Sequence, residues 1–173
     1  MVVMGVDVGS DDLVTGGVVL RRARAREVEA LSTLAVVSKA HWGYDEDFID
    51  ACRHELTVLP GDLGPHRVTV AVEPTTDRVV GFYGLVGTTS DDAELSWLFV
   101  EPGVMGRGVG RLLFEDAVRT ARHAGFGCFR IESDPFAATF YEHVGAVRTG
   151  AVPSRSIAER ELPLYVMGVP PAP

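Results

Sequence analysis

Residues 100–118, VEPGVMGRGVGRLLFEDAV, place Gly103, Gly106, Gly108 and Gly110 within eight residues and run straight into a helical pattern. Glycine gives up more backbone freedom on folding than any other residue, so a glycine-rich helix start is costly to order. A helix N-terminus presents amide N–H groups with no internal partner and carries a partial positive charge. A phosphate docked there accepts several hydrogen bonds at once. Glycines let it come close, because no Cβ stands in the way. Arg107 and Arg111 add positive charge within reach of the same anion. GRGVGR therefore has the composition of a diphosphate cradle. Two common alternatives are excluded by spacing. A P-loop needs Lys and then Ser or Thr after its last glycine, whereas Val109 and Gly110 follow Gly108. A dinucleotide fingerprint spaces its glycines as G-x-G-x-x-G, and here they stand at 106, 108 and 110. A tight turn after a strand would use the same glycines and stays open on spacing alone.

The remaining reactive side chains are sparse. His41, His54, His66, His123 and His143 show no ligand spacing, so no metal site is expected. Cys52 and Cys128 give neither a metal motif nor a disulfide framework and read as small core residues. Lys39 is the only lysine, and the chain has no Asn or Gln, so any role usually filled by a side-chain amide falls to another residue. The net charge of −8 argues against nucleic acid as a partner and is compatible with a cationic substrate. The short basic run at 21–26 reads as a solvated junction. No stretch approaches the roughly 20 apolar residues of a membrane span. The first residues lack the basic region of a signal peptide, so a cytoplasmic protein is expected.

The elements that would hold these residues are readable from periodicity. The 173 residues, 46% apolar and 23% charged, fit one soluble domain. Residues 1–17, rich in Gly and Asp, read as a poorly ordered extension, leaving 18–170 as the domain. A first strand is expected at 18–23. Apolar residues at 28, 31, 34, 35 and 37 predict a helix. Phe48, Ile49, Cys52, Leu56 and Leu59 predict a second helix over 45–59. RVTVAVE and RVVGFYGLVG, joined by PTTD, predict a hairpin. AELSWLFVE predicts the next strand. Val109, Leu112, Leu113, Ala117 and Ala121 then mark a helix capped at Gly125. CFRIES is a strand, and DPFAATFYEHVG a helix with Asp134 as N-cap and Pro135 at its first position. AVRTG and ELPLYVMG complete the order. Consecutive strands followed by alternating strands and helices imply an α/β fold with a mixed sheet and helices on both faces.

Two separate stretches carry a family resemblance. Met105, Gly106, Arg107, Gly108, Val109 and Gly110 resemble the acetyl-CoA loop of the GNAT N-acetyltransferases, R/Q-x-x-G-x-G/A, with Met105 at the position where Arg or Gln is usual. DPFAATFYEHVGA resembles the family's later motif, N-x-x-A-x-x-(F/L)-Y-x-x-x-G-(F/A), with Asp134 in place of Asn and with Ala137, Phe140, Tyr141, Gly145 and Ala146 in place. The resemblance covers nearly everything past residue 17. It implies the GNAT fold, a mixed, mostly antiparallel sheet of about seven strands that splays apart at the acetyl-CoA site.

The resemblance also implies roles. Leu98, Phe99 and Val100 would lie against the pantetheine arm, and a backbone N–H near Phe99 would polarise the thioester carbonyl. Asp134, Ala137 and Phe140 would complete the cofactor site, and Tyr141 would protonate the leaving thiolate. The expected acceptor is a primary amine of a small molecule, with Glu94 as the candidate base that takes its proton. His41, Trp42 and Tyr44 fall where the family lines its acceptor pocket, and Arg160 reaches the same pocket from the C-terminal part. A homodimer is frequent in such proteins. A different acyl group or acceptor, a protein N-terminus among them, and a non-catalytic acyl-CoA sensor are the alternatives left by the departures at 105 and 134.

Overall fold

A computed structural model describes residues 17–171. The extension expected at 1–17 lies, but for Gly17, outside the described residues. Seven strands form one sheet in the order β1-β2-β3-β4-β5-β7-β6. They are β1 (Val19–Arg22), β2 (Thr69–Val72), β3 (Val79–Gly87), β4 (Asp92–Val100), β5 (Cys128–Glu132), β6 (Val147–Pro153) and β7 (Glu161–Gly168). Every neighbouring pair is antiparallel except β4 and β5. Four helices flank the sheet: α1 (Val28–Ala40), α2 (Glu46–Cys52), α3 (Val109–His123) and α4 (Ala138–His143). None of the described helices is long and apolar enough to cross a membrane.

Two cores form, one on each face. The α3 stripe of Val109, Leu112, Leu113, Phe114, Ala117 and Ala121 is buried on one face, together with Tyr141 from α4. On the other face, Leu31, Leu34 and Ala35 of α1 and Cys52 of α2 pack over Val70, Val72, Phe82 and Trp97. The helical spacing seen in the sequence is the spacing of these buried stripes. Gly125 follows α3 with φ of +87°, the left-handed conformation of a helix-ending glycine.

The second helix stops at Cys52 rather than running to residue 59. Two tertiary bonds take the groups a longer helix would need. The Glu55 carbonyl accepts the Trp97 indole N–H at 2.9 Å, and the Val58 amide donates to Ser32 Oγ at 2.9 Å. The chain therefore turns through 53–56 while Leu56 and Val58 still reach the core. The later helix opens as a 3-10 turn at Pro135–Ala137, with the Asp134 carboxylate accepting from the Phe136 amide, before α4 begins.

Strand β4 carries the feature that matters most for function. Its pairing with β3 runs Gly84↔Trp97 and then Leu85↔Leu95, so Ser96 is an extra, bulged residue. The bulge changes which face the side chains meet. Ala93 and Leu95 enter the core beneath α3, whereas Trp97 and Phe99 enter the one beneath α1. The Trp97 ring lies across Gly84, where a Cβ would come within 2.5 Å of it.

Candidate active site

The parallel ladder between β4 and β5 is only three pairs long, from Asp92↔Cys128 to Glu94↔Arg130. Beyond it, β4 stays with β3 as far as Val100, and β5 stays with β7 as far as Glu132. The sheet opens between them. A cavity of about 460 Å³ fills the opening, running from the start of α3 to the ends of α1 and α2.

One end of the cavity is the glycine stretch. Met105, Gly106, Gly108, Gly110 and Arg111 line it. Gly106 and Gly108 have φ of +78° and +85°, and a Cβ on either would meet nothing within 4 Å. Gly108 is the N-cap of α3, and the first return bond of the helix is Leu112 N–H to the Gly108 carbonyl. The amides of Val109, Gly110 and Arg111 therefore precede any helical partner. This surface has the space, the bare backbone and the dipole that an anionic diphosphate requires. Val109 contributes backbone alone, because its side chain is buried in the core. Arg107 does not line the cavity, and the Arg111 guanidinium pairs with Glu115 at 2.8 Å. Attraction for an anion here thus comes more from the peptide groups than from the arginines expected to add to them.

The middle of the cavity is the open edge of β4, with Leu98, Phe99 and Val100, facing Ala137, Phe140 and Tyr141. Tyr141 is buried against Phe114, Phe140 and Tyr165. Among the described residues its hydroxyl has no hydrogen-bond partner. Burial, and then the negative charge of Asp134, push its pKa well above the ordinary phenol value. It therefore keeps its proton at neutral pH.

At the far end, one expected residue stands outside the lining. Glu94 does not line the cavity. It sits in the last rung of the parallel ladder, opposite Arg130, and the sheet opens only after it. The carboxylates that do line the cavity are Glu55, Glu132 and Asp134. Asp134 also lines it, but not as a free polar group. Its carboxylate is held by Lys39 at 2.5 Å and Arg160 at 3.4 Å and accepts from the Tyr44 hydroxyl at 3.1 Å. Arg160 in turn donates to the Tyr44 oxygen. The anchored carboxylate fixes the turn that leads into α4 and so the position of Tyr141. Tyr44 and Arg160 act from behind Asp134 and do not line the cavity themselves. Trp42 does line it, stacked on Phe136 with centroids 5.6 Å apart and planes 5° apart. His41 lies outside, edge-on to Trp42.

Lys39, Glu55, Glu132 and Phe136 belong to the site and are missed by sequence reasoning. Only Lys39 carried a signal, as the sole lysine of the chain. The Lys39–Asp134 pair is largely sheltered, its side chains 16% and 11% exposed. Lys39→Met should lower stability by on the order of 2 kcal/mol, less than for a fully orphaned buried charge because Arg160 remains. Thermal melts check this; an unchanged melting temperature would show that the pair holds nothing together.

Comparison with known proteins agrees with this geometry. Residues 64–145 match the acetyltransferase (GNAT) domain. The peptidyl-lysine N-acetyltransferase YjaB of Salmonella typhimurium is 30% identical over 131 residues, covering 76% of this chain and 84% of that protein. The chain belongs to the GNAT acetyltransferase family. As a GNAT member it is an acyltransferase that works with acetyl-CoA. Its fold is that of PaiA N-acetyltransferase from Thermoplasma acidophilum, solved in complex with coenzyme A. The two share a TM-score of 0.72 at 18% identity, over 87% of this chain and 98% of that one. YncA from Salmonella typhimurium, solved with acetyl-CoA, gives a TM-score of 0.63 at 19% identity, over 90% and 96% of the two chains. Among the described residues no group of three or more His, Cys, Asp or Glu is placed to hold a metal ion in this GNAT domain.

Proposed function

We propose that the protein transfers an acetyl group from acetyl-CoA to the primary amine of a small molecule by direct attack. One observation carries this reading. A single cavity is lined by the glycines at the start of α3, by Tyr141 and by the carboxylate residues Glu55, Glu132 and Asp134. Acetyl-CoA supplies an activated acyl group on a good leaving atom. The α3 amides hold its diphosphate, and the unpaired edge of β4 near Phe99 donates a backbone N–H to the thioester oxygen. The acceptor arrives from the α1–α2 side. An alkylamine has a pKa near 10, so only about one molecule in a thousand is neutral at pH 7 and a carboxylate at the cavity wall must help remove its proton. The N–C bond forms, the C–S bond breaks, and Tyr141 gives its proton to the departing sulfur.

A lysine side chain is also a primary alkylamine. The name of the Salmonella relative favours that second reading. Thiol release measured with acetyl-CoA and a panel of amines tests both. Turnover with simple alkylamines is expected. A panel on which only lysine-bearing peptides react would move the assignment to the second reading, and a panel giving no thiol at all would end the first.

A further inference from the structure

The three carboxylates of the cavity are not equivalent. Asp134 is locked between two sheltered cations, Lys39 and Arg160, whose side chains are 16% and 17% exposed. Glu132 is different. Its side chain is 21% exposed, yet its closest cation is Arg155, 65% exposed, at 3.1 Å. Arg130 stands farther off, at 3.8 Å. Glu55 accepts from Ser156, and the exposed His54 lies 3.8 Å away. Arg155 and Ser156 are neighbours on the loop between β6 and β7. That one loop therefore reaches across to both carboxylates.

An exposed cation on a sheltered carboxylate makes a weak pair, because water competes for the cation and its long side chain loses freedom. The sheltered carboxylate has the stronger need for a partner, since its own hydration is reduced. Arg155 also feels the charges of Glu94 and Glu55 besides that of Glu132. A guanidinium thus stands over Glu132, one of the three carboxylates, with Glu55 and Asp134, that line the cavity together with the one ammonium of Lys39. We infer that Glu132, with Glu55 beside it, is the docking carboxylate for the acceptor's ammonium group, and that Arg155 occupies that place until a cationic acceptor displaces it. This rests on the amine-acceptor reading above and goes beyond it by naming the residues that select a cation. The stacked pair Trp42 and Phe136 stands at the same end and offers an apolar wall to the carbon chain of the acceptor. A carboxylate that docks an ammonium is within hydrogen-bond reach of the proton that must leave, so Glu132 would both bind the acceptor and accept that proton.

The experiment uses the full chain, with n-butylamine as probe and n-butanol as its uncharged counterpart. Arg155→Ala removes the internal competitor. The KM for n-butylamine should fall about two- to fivefold, with the KM for acetyl-CoA unchanged. Glu132→Gln keeps the shape and removes the charge. The KM for n-butylamine should rise roughly ten- to a hundredfold. Arg148→Ala, an exposed arginine on β6, should change neither constant. Titration of the unsubstituted protein and the three variants with n-butylammonium, followed by NMR chemical shifts, reads the same site without turnover. Binding that is tightened by Arg155→Ala, weakened by Glu132→Gln and not imitated by n-butanol supports the inference even if no amine is acetylated. Turnover of amines with KM values indifferent to both substitutions overturns it while leaving the acetyltransferase reading intact. Failure of n-butylammonium to bind the unsubstituted protein overturns it as well.

Discussion

Gly108→Glu should abolish the binding of coenzyme A while the protein stays folded. Gly108 caps α3 with φ of +85°, so any other residue is strained there, by about 1–2 kcal/mol. For a domain of this size that corresponds to a melting temperature lowered by roughly 2–8 °C. Nothing lies within 4 Å of a Cβ at this position, so no steric cost is added. The effect on binding is far larger. A carboxylate would stand where the diphosphate is held, and like charges about 4 Å apart repel by about 4 kcal/mol near a protein surface. The dissociation constant measured by calorimetry should rise on the order of a thousandfold. Gly108→Ala separates the two contributions, because it keeps the strain without the charge and should cost much less affinity. Equal losses for both variants would show that backbone geometry, not an anion, explains the glycine.

Tyr141→Phe should reduce kcat by about 10²–10⁴-fold, the usual contribution of a positioned proton donor. The KM for acetyl-CoA should stay close to its original value. The substitution is conservative for packing, since the ring contacts with Phe114, Phe140 and Tyr165 need no hydroxyl. The hydroxyl itself makes no bond to a described residue, so its loss leaves no partner orphaned. A kcat that survives the change would remove Tyr141 from the proton transfers and leave it as a wall of the cavity.

Much of this arrangement was legible in the sequence, for identifiable reasons. The α3 stripe, the β2–β3 hairpin and the Asp134–Pro135 helix start are set by contacts between near neighbours in the chain. Periodicity and turn chemistry report such contacts directly. The positive φ values at Gly106 and Gly108 are local as well. Features that depend on distant partners were hidden. The end of α2 is decided by Trp97 and Ser32, which take the groups that would have continued the helix. Lys39 and Asp134 meet across 95 residues, a pairing that no pattern in either segment announces. The choice between Glu94 and Glu132 depends on how far the β4–β5 ladder runs before the sheet opens. The ladder ends at Glu94, two residues before the Ser96 bulge, and the alternation of neither strand announces that end. The sequence points to Glu94, which stays in the ladder, while Glu132 on the neighbouring strand is the one that lines the cavity.

The central claim is that the unpartnered amides at the start of α3 grip the diphosphate of acetyl-CoA. Titration of isotopically labelled protein with coenzyme A, followed by amide chemical shifts, tests it most directly. The largest saturable shifts should fall on Gly106, Gly108, Val109, Gly110 and Arg111. Saturable binding that leaves those amides unmoved, with its shifts elsewhere on the fold, would contradict it.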